Sequence, residues 1–178
     1  MRVISVISDS NIGGAGNVLV NFMKFADKDK FLHTIALPQG SKLTEKLDSL
    51  GVETLEIPGI GEKSFDRRHV ARFLRLFREK RPDIVHTHAS LSARVAARLY
   101  GKCAIVHTRH SAFVIPAAAK KFPRRALSGF INSLFSDVII AISPACYENL
   151  VDLGTDPRKI VTLQNGVEPQ KRLTGAER

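Results

Sequence analysis

Three short stretches carry residue types suited to chemistry, and each follows an apolar run. Asp9-Ser10-Asn11-Ile12-Gly13-Gly14-Ala15-Gly16 follows RVISVIS. Glycines let the backbone turn tightly and approach a ligand, and the free N–H groups of a helix starting there hold a phosphate. A plain structural turn is the alternative reading of this loop. His86-Thr87-His88 ends PDIVHTH and precedes Ser90 and Ser92. Strand alternation sends His86 and His88 to one side and Thr87 to the other. His88 is the better placed for a ligand, while His86 reads as a hydrogen-bonded histidine within the sheet edge. His107-Thr108-Arg109-His110-Ser111 ends the third run. Here His107 reads as strand packing. Arg109 offers a rigid fork to phosphate or carboxylate, and His110 donates a hydrogen bond or moves a proton near neutral pH. The plainer reading of His110 is a surface histidine at a strand end. No carboxylate or cysteine obviously joins the histidine pair, so no metal site is expected.

Two phosphate-binding patterns fail in detail. A dinucleotide fingerprint on Gly14-x-Gly16 requires a third glycine where Leu19 stands. The second apolar run ends Leu37-Pro38-Gln39, with no acid for a ribose. No Gly-Lys-Ser or Gly-Lys-Thr exists for an ATPase-type loop.

The elements that must position these loops alternate between strand and helix. Strands are expected at 2–8, 31–37, 52–58, 82–88, 103–110, 137–143 and 159–163. Between them lie helices at 17–26, where Val18, Phe22 and Phe25 recur as a buried stripe, and at 41–50, capped by Ser41 and stopped at Gly51. A helix over 67–80 is capped by Asp66, with Val70, Phe73, Leu74 and Phe77 on its apolar side. An alanine-rich helix runs from Ser90 to Gly101, a helical region covers 116–135, and another helix has Pro144 in its first turn. Several strands are continuous apolar runs, as in a parallel sheet covered on both faces. The expected fold is α/β, a doubly wound, mostly parallel, Rossmann-like sheet. Its ligand cleft lies outside the carboxyl ends of the strands, where all three polar loops converge.

Composition fits one domain over 1–165: 178 residues, 44% of them hydrophobic. Residues 166–178 lack apolar periodicity and read as a linker or the start of a further domain. The N-terminal apolar run is too short for a signal peptide or a membrane span. Cys103 and Cys146 lie in no C-x-x-C pair and read as reduced thiols near the core, consistent with a cytoplasmic location. The net charge of +10 is concentrated at 67–81 and at Lys120, Lys121, Arg124 and Arg125. Such an excess suits nucleic acid, anionic lipid or phosphorylated ligands, or is simply a solvated face. Both basic segments also carry phenylalanines, the composition of a peripheral contact with an anionic membrane surface. Most aromatics fall on helix faces rather than among readable base contacts, so nucleic acid is not expected as a partner.

Taken in order, the segments resemble the family 4 retaining glycosyltransferases of GT-B fold. GGAGNVLVNF is similar to their glycine-rich loop and first helix, and PDIVHTHAS and AIVHTRHS to the next two motifs. DVIIAISPACYENLVDLG and DPRKIVTLQNGVE are similar to the stretch entering the interdomain linker. The resemblance implies the acceptor-side half of a two-domain enzyme. Such an enzyme moves a sugar from a nucleotide-diphosphate donor to an acceptor, in many members a lipid-linked or cell-envelope glycan. It implies no cofactor beyond that nucleotide-sugar substrate, and no metal ion. It matches Gly13, Gly14 and Ala15 to the loop approaching the donor diphosphate, and His110 to a histidine near the reaction centre. Arg109, Ser111 and His88 fall in the acceptor region, and Asn165 and Gly166 begin the hinge. Gly16-Asn17 stands where the commoner pattern has Glu-Arg. The second domain, with its Glu-x7-Glu motif and basic pair, is expected beyond this chain. This chain alone is therefore expected to have little activity. A non-catalytic sugar- or nucleotide-binding module is the alternative.

Overall fold

Strands and helices alternate: β1 (Arg2–Ile7), α1 (Gly14–Phe25), β2 (Leu32–Pro38), α2 (Thr44–Ser49), β3 (Glu53–Ile57), α3 (Arg67–Lys80), β4 (Ile84–His88) and α4 (Leu91–Tyr100). They continue as β5 (Ala104–Arg109), α5 (Arg124–Leu134), β6 (Val138–Ala141), α6 (Pro144–Asp152) and β7 (Ile160–Thr162). This is a computed structural model, and it describes residues 1–10 and 13–166. Most of the expected linker, 167–178, therefore lies outside the described residues, as do Asn11 and Ile12 of the glycine loop. The strands form one parallel sheet in the order β3-β2-β1-β4-β5-β6-β7. The order reverses between β1 and β4, the place where open α/β sheets open a ligand crevice.

Local signals set the helix ends. The Asp66 side chain accepts from Arg68 N–H at 2.7 Å and starts α3. Ser90 caps α4 through Ala93 N–H, Gly101 ends it at φ 71°, and Ser143 caps α6 just before Pro144. Helix α1 starts at Gly14, three residues earlier than periodicity predicts, because Asn17 N–H bonds to Gly13 C=O at 2.9 Å. The glycines are thus its first turn. The helical region expected over 116–135 divides into a 3-10 turn, Ala117–Lys120, and α5, with Pro123 just before the helix.

Three apolar clusters line the two faces of the sheet among the described residues, the smallest packing Cys146 and Leu150 of α6 on Ile139, Ala141 and Ile160. Phe73 and Phe77 of α3 and Ala93, Ala96 and Ala97 of α4 pack on Ile4, Val6, Val85 and Ile105. Leu19 and Met23 of α1 pack with Leu47 of α2 on Ile7, Ile35 and Leu37. The buried stripe expected from Val18, Phe22 and Phe25 is corrected here. Phe22 and Phe25 are 52% and 71% exposed, and the residues α1 buries are Gly16, Leu19 and Met23. Helix α1 sits over β1 and β2, so its Phe edge faces sideways, toward the part of the sheet whose helices pack on the other face.

Candidate functional site

The ends of β1, β4 and β5 meet at the strand-order reversal. A cleft of about 410 Å³ there is lined by Asp9 and Ala15 from the glycine loop and by His88 from β4. Arg109, His110 and Ser111 from the end of β5 complete the same lining. Four of the expected site residues besides Ala15 are therefore brought together. Gly13 caps α1 beside this cleft, and a Cβ added at Gly14 would meet nothing within 4 Å, so the space over that turn is open. Asn165 and Gly166 lie elsewhere. They line a second, apolar cavity of about 280 Å³ with Phe22, Phe25, Ile140 and Leu163, on the α1 face of the sheet.

His88 and His110 line both spaces. His88 Nδ1 is 2.7 Å from His110 Nε2, and the rings stack with centroids 5.0 Å apart. His88 Nε2 and His110 Nδ1 are buried and have no hydrogen-bond partner among the described residues. Burial, then the neighbouring rings of His86, His110 and His107, holds the His88 imidazole far below its usual basicity. Burial lowers His110 as well, so both rings are neutral at pH 7.

His86 and His107 take supporting places. His86 Nε2 lies 2.7 Å from Thr108 Oγ1, and burial is the main cause that brings its pKa to about 4. His107, on the opposite sheet face, places Nδ1 3.2 Å from Thr87 C=O. Burial first, then the charge of Arg94, brings its pKa to about 3. Both follow from strand alternation and from the pairing Thr87↔His107.

Arg109 is half-buried. Its Nε donates to Ser111 C=O at 3.0 Å, Nη2 to Asn149 Oδ1 at 3.3 Å, and its Cζ sits 4.1 Å from the centre of the Phe113 ring. These contacts hold the guanidinium flat against the end of α6. Ser111 is exposed and offers its carbonyl to that bond.

Arg94 is a member of the lining that motif reading misses. It is 6% exposed, on the face of α4 that also buries Ala93 and Ala97. The available signal was its spacing, three residues before Ala97 in a stripe of small buried side chains. Its Nη1 donates to Asn132 Oδ1 at 3.3 Å and Ser136 Oγ at 3.2 Å.

The two basic segments differ. Phe73 and Phe77 of α3 are wholly buried, which leaves that helix an arginine-rich outer face without aromatics. Around α5 the phenylalanines stay outside. Phe122 is 86% exposed and Phe130 62%, beside the exposed Lys120, Lys121, Arg124 and Arg125. No helix among the described residues is long and apolar enough to cross a membrane.

Comparison with known proteins adds sequence and fold relationships. The model of Glycosyltransferase Family 4 matches residues 12–171. A capsular polysaccharide biosynthesis glycosyltransferase, CapH, of Staphylococcus aureus is 26% identical over 176 residues, covering 94% of this chain and 48% of that protein. An Escherichia coli UDP-Gal:alpha-D-GlcNAc-diphosphoundecaprenol alpha-1,3-galactosyltransferase is 25% identical, covering 90% of this chain and 43% of that protein. The chain thus spans about half the length of the curated relatives it matches. Among solved structures, Anabaena HepE in complex with UDP superposes with a TM-score of 0.73 at 15% identity, over 94% of this chain and 45% of that one. That likeness is one of fold: the Rossmann-like half of a GT-B architecture.

Proposed function

The chain belongs to glycosyltransferase family 4, and from that membership we propose that its cleft is the acceptor-side wall of a retaining sugar-transfer site. The observation that carries this reading is the meeting of Ala15, His88, Arg109, His110 and Ser111 around one cleft at the β1/β4 reversal. The donor is a nucleotide-diphosphate sugar and the acceptor a lipid-linked or cell-envelope glycan, in keeping with the names of the curated relatives. A second Rossmann-like domain completes the cleft, and Asn165 and Gly166 begin the hinge toward it.

Each wall element has a chemical part. The amide N–H groups at Gly13, Gly14 and Ala15 face the donor diphosphate and stabilise the charge that grows on it as the sugar departs. His110 stands at the reaction centre as a neutral ring, offering one N–H or one lone pair to a sugar hydroxyl rather than a positive charge. Arg109 and Ser111 contact the acceptor, and His88, which lines the same cleft, orients His110. Closure of the second domain aligns the two substrates and excludes water, so this chain alone carries little activity.

A transfer assay on the complete gene product with UDP-sugars and a diphospholipid-linked sugar tests the reading. The anomeric configuration of the product is read by NMR. Transfer with retention is expected, and His110→Ala abolishes most of it. Binding of both substrates without any transfer would instead favour a non-catalytic sugar- or nucleotide-binding module.

The exposed phenylalanines and cations around α5 support a cytoplasmic-face, peripheral contact with anionic lipid, which brings a lipid-linked acceptor to the cleft. Sedimentation with vesicles containing phosphatidylglycerol, at low and high salt, measures it. Absence of binding at low salt by the complete protein overturns this part of the reading.

A further inference from the structure

Among the described residues, Arg94 is a buried cation with no acid to pair it. Its hydrogen-bond acceptors, Asn132 Oδ1 and Ser136 Oγ, are both neutral, and its Nε is buried with no partner among the described residues. Burial brings its pKa down to about 10, and the charge acting on it beyond burial is that of another cation, Arg109. At neutral pH it therefore stays protonated. A guanidinium in such a position normally has a carboxylate against it, because burying an uncompensated charge is costly. A neutral tie between α4 and α5 would need only an amide.

Arg94 and Arg109 line the same cleft, together with Ser64, Asn132 and His107. Their joint field is felt by His107, whose basicity both lower. Among the described residues, the acid of this lining is Asp9, which belongs to the β1 rim. Its Oδ2 lies 3.2 Å from where a Gly13 Cβ would stand. Two guanidinium groups thus share the β4/β5 side of the cleft, and Arg109 is fixed flat by Ser111, Asn149 and Phe113.

We propose that the cleft between Arg94 and Arg109 binds a phosphoryl dianion carried by the acceptor. The proposal deepens, and rests on, the assignment of this cleft to the acceptor. Two positive charges match one dianion, and guanidinium forks match the geometry of phosphate oxygens. The donor diphosphate is the other candidate occupant by charge, but the glycine loop that faces it forms the opposite rim.

The 178-residue chain itself serves for the test, with inorganic phosphate, glucose 1-phosphate and glucose as probes in calorimetric titrations. Both phosphates bind and free glucose does not. Glucose 1-phosphate binds more tightly than inorganic phosphate, which marks a site for a sugar-borne phosphoryl group rather than for the free ion. Arg94→Met and Arg109→Gln each weaken phosphate binding at least tenfold, while the surface pair Lys46→Gln/Lys102→Gln leaves it unchanged. Should Arg94→Met fail to fold, Arg109→Gln and the Arg94 Nε–H resonance of the unaltered protein carry the test, since bound phosphate shifts that resonance.

Wild-type affinity in Arg109→Gln, an unmoved Arg94 resonance at saturating phosphate, or loss of binding in the surface pair overturns the site. Displacement of glucose 1-phosphate by UDP overturns its assignment to the acceptor. None of these readouts involves turnover, so a site that survives them alongside a failed transfer assay isolates the failure to the transferase reading.

Discussion

His88 Nδ1 and His110 Nε2 share one hydrogen bond at 2.7 Å. Both rings are neutral at pH 7, so one must donate and the other accept. The choice fixes the outer atoms. If His110 donates, its Nδ1 is an acceptor and His88 Nε2 bears hydrogen; if His88 donates, both roles reverse. The tautomer of each ring is therefore set by the other.

That coupling predicts a positioning role for His88. His88→Ala in the complete enzyme lowers kcat on the order of tenfold with little change in KM for the donor. It also admits water around His110, whose depressed basicity comes from burial. The acid limb of the kcat profile then moves up toward an ordinary histidine value. His88→Asn, which keeps one donor and one acceptor, recovers part of the rate. A fall in kcat with no movement of the acid limb would leave His88 a packing residue.

The buried histidines also predict how stability depends on pH. Five rings, those of His33, His86, His88, His107 and His110, have lowered basicity in the folded chain. A base whose folded pKa lies below its unfolded value takes up a proton on unfolding. Its contribution is fully present above the unfolded value of 6.5 and is lost as pH falls toward the folded values, about 4 for His86 and about 3 for His107. Each such group adds a slope of about 1.4 kcal/mol per pH unit within its window. Urea unfolding midpoints are expected to be level from pH 8 to 7 and to drop steeply from pH 6.5 to 4. A midpoint constant across pH 6.5 to 5 contradicts the burial of these rings.

How far the sequence foretold this site depends on the range of each signal. Asp66, Ser90, Gly101 and Pro144 act on their own backbone, and their helix ends stand where local reading places them. The sides taken by His86, His88 and Thr87 followed from alternation alone. The contact between His88 and His110 did not, because it depends on how β4 and β5 align and on the path beyond Arg109. Phe22 and Phe25 depart from the expected buried stripe because periodicity finds an apolar helix face but not what stands opposite it. Arg94 gives no motif signal in the sequence because a charge in an alanine-rich helix ordinarily faces water, and its burial arises from contacts at Asn132 and Ser136, some forty residues away.

Helix α5 crosses the end of α6 too closely for any side chain at Gly129. A Cβ there would lie 1.9 Å from Gly154 C=O, and one at Gly154 would lie 2.6 Å from Arg125 C=O. Both obstacles are backbone atoms, so neither helix can yield by a rotamer change. Gly129→Ala is expected to cost about 3 kcal/mol of stability, read from urea denaturation. A loss under about 1 kcal/mol would mean that the two segments separate easily.

Ala89 follows His88 with φ 82°, in the left-handed region where a Cβ is crowded. Two contacts hold it there. Ser64 Oγ donates to Ala89 C=O at 2.8 Å, and the next residue, Ser90, must be extended to cap α4. The strain therefore sits between His88, which is hydrogen-bonded to His110, and the helix that carries Arg94. Replacing Ala89 by glycine removes the crowding but also loosens the unfolded chain, and the first effect is the larger at positive φ. Ala89→Gly should gain about 0.5–1 kcal/mol in urea denaturation, whereas Ala89→Val, with a branched Cβ in the same turn, should lose more than that. If Ala89→Gly is instead less stable than the parent, the turn is not strained. A gain in stability accompanied by a lower kcat would show that the strained turn helps hold His88 against His110.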